Sequence, residues 1–209
     1  MNKRLKEILK GYEERKHKII KGDESMNKIY QWMKRKIFAI DDRPILEIAK
    51  ERGMKVGDNV FVQDGCTFDI SHCWLIEIGN DVMLAPRVNI IAHDASTKWE
   101  LGYTLIGHVI IGNNVFVGAG STILPNVTIG DNVVIGAGSV VTHDIPENSV
   151  VAGNPAKEIM SYSQYMNKRK EQFSKNELFE YEYTLRGGIT NEQKEEMKKI
   201  VKDGVAGIK

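Results

Sequence analysis

A six-residue period runs through the middle of this chain and restricts its fold more than any other feature. Counting in sixes from Ile111 gives Val117, Ile123, Ile129, Ile135 and Val141, all β-branched aliphatics, with glycine following at 112, 118, 130 and 136. Four residues after each aliphatic stand Val115, Ser121, Val127, Val133, Ser139 and Ile145. An earlier run has the same spacing: Val56, Val62 and Phe68, then, after a four-residue slip, Ile78, Leu84 and Ile90, with Gly57 and Gly79 behind two of them. A period of six fits neither the 3.6-residue helix nor the two-residue strand. Glycine in alternate hexads among β-branched residues also opposes a helix. The reading is a mainly β coil of three short parallel strands, one hexapeptide on each side of a triangular prism. Each aliphatic points inward and stacks on its equivalents in the coils above and below, a repeat architecture held together by nearest-neighbour burial. The small residue after it turns the corner, where unusual backbone angles suit glycine. Three hexapeptides per coil give coils at 56–73, 78–95, 111–128 and 129–146, with a partial fifth around 150–154.

The flanks read as helical, so the chain divides into an N-terminal helical segment (1–54), the β-helix (55–160) and a C-terminal helical tail (161–209). Residues 23–38 and 43–52 carry apolar side chains at helical spacing, and Gly53 ends the second stretch. These helices are expected to cap the open end of the coil, where strand edges would otherwise be bare. In the tail, Thr190 and Gln193 form a capping box that opens a helix expected to run to residue 203, before Gly204.

The formal net charge of +1 argues against a nucleic-acid partner. The charge is uneven: residues 1–36 hold twelve Lys and Arg against five Asp and Glu. That stretch reads as a solvated face or as a peripheral contact with an anionic membrane surface. Two cysteines, Cys66 and Cys73, make neither a disulfide framework nor a metal motif. With no apolar leader and no membrane-spanning run, the expected location is cytoplasmic.

The stretch IGNNVFVGAGSTILPNVTIGDNVVIGAGSVVTHDIPENSVVAGNPAKEI, residues 111–159, resembles the hexapeptide-repeat acyltransferases. Within them it is similar to the branch of galactoside, maltose and glycan O-acetyltransferases. The resemblance covers about residues 50–160. It implies a left-handed coil, a homotrimer, and acetyl-CoA as the donor of an acetyl group to a hydroxyl of a sugar or glycan.

The repeat breaks between Ala92 and Val109, and a regular scaffold accommodates a loop only on its outside, often for function. His93 stands at the start of this external loop, 94–108. The resemblance implies that a histidine here is the general base for the acceptor hydroxyl, which attacks a thioester poorly until its proton is taken. A second group must fix the imidazole tautomer; Asp69, Asp94, Glu100 and a backbone carbonyl all remain open. The resemblance implies an acceptor pocket at the coil below, around residues 65–79, where Asp64 just before it, Asp69 and His72 are candidates, together with Tyr103 and the aromatic rings of Trp74 and Trp99. Cys66 reads as a small inward-facing residue. For the donor, the resemblance implies a groove between subunits over Ala119, Gly120, Ala137, Gly138, Ala152 and Gly153, followed by Thr142 and His143. Relatives often carry lysine where this chain has His143, which leaves Lys157 as the better contact for the phosphates.

No metal is expected. Carbonic anhydrases of the same fold bind zinc through three histidines, two of them close in sequence, and the histidines at 17, 72, 93, 108 and 143 contain no such pair. Two other activities stay open: N-acetylation of an amino sugar or other amine, with the same base and donor, and a non-catalytic β-helix scaffold.

Overall fold

The structure is a computed structural model that describes residues 44–202 and 204–209. The expected helix at 23–38 and the basic N-terminal stretch lie outside the described residues. The chain divides into two compact units, Met1–Pro44 and Ile45–Lys209. The second is mainly β, a left-handed parallel β-helix of the predicted kind.

Its three faces follow the hexapeptides. The first holds Lys55–Val56, Ile76–Ile78, Val109–Ile111 and Val127–Ile129 in that order. The second holds Phe61–Val62, Met83–Leu84, Val115–Val117, Val133–Ile135 and Ser149–Ala152. The third holds Thr67–Phe68, Asn89–Ile90, Thr122–Ile123 and Val140–Val141. All these pairings are parallel, and register aligns the aliphatics: Val56, Ile78, Ile111 and Ile129 stack on the first face. Val62, Leu84, Val117, Ile135 and Val151 stack on the second. Phe68, Ile90, Ile123 and Val141 stack on the third. The residues four places on are inside as well. Val115, Ser121, Val127, Val133 and Ser139 are all 0–1% exposed. Ser121 and Ser139 are tolerated there because each hydroxyl donates to the Gly136 carbonyl, at 3.0 and 2.6 Å.

The corners differ from expectation in one respect. The glycines behind the inward aliphatics do not adopt left-handed angles. At Gly118 an added Cβ would stand 2.4 Å from the backbone nitrogen of Ala137 in the next coil, so the close approach of two coils excludes a side chain. One set of left-handed corners belongs instead to Asn114, Asn132 and Asn148, with φ of 54°, 55° and 59°. Asparagine tolerates this region, and its amide adds a ladder: Asn114 donates to Asn132 at 2.8 Å, and Asn132 to Asn148 at 3.0 Å.

Helix Ile45–Glu51 closes the first coil, burying Ile48 and Ala49. Gly53, at φ 102°, ends it, and the Met54 amide donates to the Ala49 carbonyl at 3.0 Å. At the other end, strand Lys157–Ser161 folds back antiparallel on Ser149–Ala152 and covers the last edge of the second face. Helix Tyr162–Lys175 follows, opened by a capping box of Ser161 and Gln164. Helix Asn191–Ile200 opens on the expected box of Thr190 and Gln193 but stops three residues short of 203. The final strand Gly207–Ile208 pairs in parallel with Leu178–Phe179. Among the described residues, no helix is long and apolar enough to cross a membrane.

Candidate active site

The external loop leaves the third face as strand His93–Asp94, forms a single helical turn at Lys98–Leu101, and returns as Leu105–Ile106 antiparallel to its start. The Gly107 amide donates to the Ala92 carbonyl at 3.0 Å and closes the neck. His93 is therefore held between the rigid prism and the base of the loop, with its side chain 36% exposed.

Its partner is Asp69. The His93 Nδ1 and Asp69 Oδ2 form a hydrogen bond. An ionised carboxylate only accepts, so the imidazole carries its proton on Nδ1 and leaves Nε2 with a free lone pair. The carboxylate is itself fixed: Oδ2 accepts the Ala92 N–H at 3.0 Å, and Oδ1 accepts the Ser71 hydroxyl at 2.7 Å. Burial of Asp69 pushes its carboxyl upward. The hydrogen bonds from Ser71, His93 and Ala92, with the nearby charge of His93, outweigh that and hold it below the usual carboxylate range.

The other residues considered for fixing His93 have other roles. Asp94 accepts the Ser96 amide at 2.8 Å, a turn-forming bond that lowers its carboxyl. Glu100 and Tyr103 lie exposed on the loop, where the Tyr103 carbonyl accepts the Thr97 hydroxyl at 3.0 Å. His72 is brought to the site: its Nδ1 lies 3.1 Å from the Ser71 hydroxyl, and its ring centroid is 5.1 Å from that of His93 and 5.4 Å from that of Trp74. Asp69, His72 and His93 offer ligand atoms that all lie within 4.8 Å of one another, the one such cluster among the described residues. Both cysteines are buried and free, with Cys66 donating to the Ala85 carbonyl at 3.2 Å.

The residues expected to meet the donor gather at a different corner. Ala119, Gly120, Ala137 and Gly138 connect the second face to the third, and the Gly138 amide donates to the Ala119 carbonyl at 2.9 Å. A Cβ on Gly120 or Gly138 would meet nothing within 4 Å, so this corner is open to the outside. Ala152 and Gly153 continue the column, and Lys157 pairs opposite Ala152 on the returning strand. Thr142 and His143, bonded to each other at 2.7 Å, instead follow the third face, at the corner that carries His93 two coils earlier, after Val140–Val141 rather than after Asn89–Ile90. Within one chain, the third face separates the small-residue corner from His93.

Comparison with known proteins matches residues 108–143 to the bacterial transferase hexapeptide (six repeats) family. The chain is 42% identical over 125 residues to protein CapG of Staphylococcus aureus, covering 57% of this chain and 72% of that protein. The chain belongs to the hexapeptide-repeat transferases. It is also 36% identical over 163 residues to a putative acetyltransferase of Dictyostelium discoideum, covering 73% of this chain and 84% of the relative. Among solved structures, a maltose O-acetyltransferase of Clostridium difficile 630 is 46% identical, covering 52% of this chain and 59% of that one, with a TM-score of 0.46. The family match spans the two open glycine corners and begins at the last residue of the loop, so His93, Asp69 and His72 all precede it. Sequence reasoning missed Ser71 altogether; its signal is its place in the four-residue slip, beside two residues already singled out.

Proposed function

We propose that this hexapeptide-repeat transferase moves an acetyl group from acetyl-CoA to a hydroxyl of a sugar or glycan, with His93 as general base. The observation that carries the reading is the His93–Asp69 pair, which leaves Nε2 free at the mouth of the only long interruption of the described repeats. The acceptor oxygen attacks the thioester carbonyl carbon while Nε2 takes its proton. The tetrahedral intermediate then collapses, the C–S bond breaks, and the CoA sulfur leaves with the proton returned by the imidazolium. The products are the acetyl ester, free CoA and an unchanged His93. Asp69 holds the ring orientation and stabilises the imidazolium through a bond that strengthens as charge develops. Two relatives named as putative acetyltransferases support the acyl group. Trp74, 53% exposed beside His72, supports a sugar ring as the acceptor, since an aromatic face can stack on one.

A homotrimer completes this site. The small-residue corner of one subunit would lie beside the His93 corner of its neighbour, so that donor and base meet across the seam. The loop supports this: Trp99, Tyr103, Leu105 and Ile106 are 56–98% exposed, a concentration of apolar surface that a neighbouring subunit would cover.

Turnover of acetyl-CoA measured as free thiol, with parallel panels of hydroxylated and aminated sugars, tests the reading. Ester formation on a hydroxylated sugar is expected, with His93→Ala lowering kcat at least ~10²-fold at little cost in CoA affinity. Transfer confined to amines would replace the acceptor class. An acetylated-enzyme intermediate, or a near-normal rate for His93→Ala, would overturn the mechanism. A chain inert with every acceptor would favour a scaffold.

A further inference from the structure

We infer that Asp69, His72 and His93 form a binding site for a divalent transition-metal ion, and that Zn²⁺ bound there inhibits transfer. The inhibitory half rests on the reading of His93 as base; the binding half does not.

Two imidazoles and a carboxylate are a donor set that zinc accepts, at about 2.0–2.2 Å per bond. Three such ligands around a tetrahedral ion stand roughly 3.3–3.5 Å from one another at those bond lengths. Here the three ligand atoms already fall within 4.8 Å. Side-chain rotation on a fixed backbone therefore closes the remaining gap. The backbone is well held: the His72 amide donates to the Asp69 carbonyl at 3.1 Å, and the Leu75 amide to the His72 carbonyl at 2.9 Å. His93 comes from the next coil, whose Asn89–Ile90 strand is in register with Thr67–Phe68.

His72 is the residue that turns a catalytic pair into a cluster of ligands. Acyl transfer as described above gives it no proton to move. Its ring nonetheless stands 5.1 Å from that of His93, and its side chain is 27% exposed, open to an arriving ion. Zinc and the base compete for the same lone pairs. Bound through His93 Nδ1, the ion displaces the proton to Nε2, and the ring can no longer accept one from the acceptor. Bound through Nε2, the ion occupies the base directly. Either way, transfer stops while the fold stays intact.

The test starts from chelator-stripped full-length protein titrated with Zn²⁺ alone by calorimetry, and with Co²⁺ by visible absorption. One ion per chain is expected, with Co²⁺ giving the intense d–d bands of a four-coordinate site. His72→Ala should weaken binding at least ~10-fold, as loss of a ligand costs no less than loss of a group that merely orients one. His108→Ala, which removes an exposed histidine outside the cluster, should leave it unchanged. No binding, or binding indifferent to His72→Ala, overturns the site. In turnover assays Zn²⁺ should inhibit over the concentration range in which it binds, and EDTA should restore the rate. Stoichiometric binding with undiminished turnover overturns the inhibition. A chain without any turnover refutes the proposed function and the inhibition with it, while calorimetry still decides the site.

Discussion

Replacing Asp69 by asparagine and by alanine should separate what its charge does from what its position does. In the wild type, Oδ2 accepts from both His93 and the Ala92 amide, and Oδ1 accepts from Ser71. An asparagine has one way to fit these partners. Its carbonyl must face His93 and Ala92, because an NH₂ there would meet two N–H donors, and its NH₂ can donate to the Ser71 oxygen. The ring keeps its tautomer and direction, and only the negative charge is lost. A charge-assisted bond contributes ~1.5–3 kcal/mol and a neutral one ~1 kcal/mol, so the variant should lose ~1–2 kcal/mol of transition-state stabilisation, or about 5- to 30-fold in kcat. Alanine removes the orientation too and leaves the Ala92 amide without its partner. Its rate loss should approach the full ~10²–10⁴-fold of a misplaced base, with ~1–3 kcal/mol of stability lost as well. Steady-state kinetics and denaturant titration read the two losses. Equal losses of rate in the two variants would refute this division of roles. Near-normal rates in both would refute the pairing as functional.

Other outcomes follow from the same geometry. Because the Asp69 carboxyl is held below its ordinary range, its contribution to stability is present above the unfolded value of about 3.9 and fades as pH falls through the lower folded value. Urea midpoints of wild type and Asp69→Asn should therefore keep a constant gap above about pH 5 and converge as pH falls below about 4, and a gap that persists unchanged in acid would contradict the lowered carboxyl. Gly118→Ala drives a Cβ into the Ala137 backbone and should cost stability at the upper end of ~1–3 kcal/mol, whereas Gly120→Ala meets open space and pays only its left-handed φ, about 1 kcal/mol. The reverse order in denaturant titrations would mean that corner angle, not coil contact, selects these glycines. Light scattering should give about three times the chain mass of 23.6 kDa, and a monomer at micromolar concentration would sink the inter-subunit site.

The prism was legible because its signal is periodic and redundant. Ten of the twelve apolar residues counted in sixes are buried, and the other two, Val56 and Val62, lie half-buried in the first coil, which has no preceding coil to stack on. A single substitution would not have hidden it. The break at 92–109 was as plain, since a repeat announces its own interruption. The tail was read less well. Thr190 and Gln193 stood out before a recognisable helical stretch, while the identical logic at Ser161 and Gln164 was masked by the preceding strand Lys157–Ser161, whose pairing with Ser149–Ala152 is long-range and leaves no local mark.

The partner of His93 was hidden for a different reason. Asp94 and Glu100 are its neighbours along the chain, and sequence proximity makes them look equivalent to Asp69, which stands 24 residues away. Register resolves the ambiguity. A regular coil advances by eighteen residues, as from Ile123 to Val141, but the four-residue slip lengthens the first coil so that Phe68 pairs with Ile90. Asp69 then falls opposite Ile91, its amide N–H donating to the Ile90 carbonyl at 3.0 Å, and its side chain reaches the turn that begins at Ala92. The slip is thus more than a tolerated irregularity. It sets Asp69 under the base of the loop, and it supplies the turn that carries Ser71 and His72 to the same place. Removing the four extra residues would keep the aliphatic stacks and lose the site, because burial depends on the period alone whereas the chemistry depends on where the period is broken.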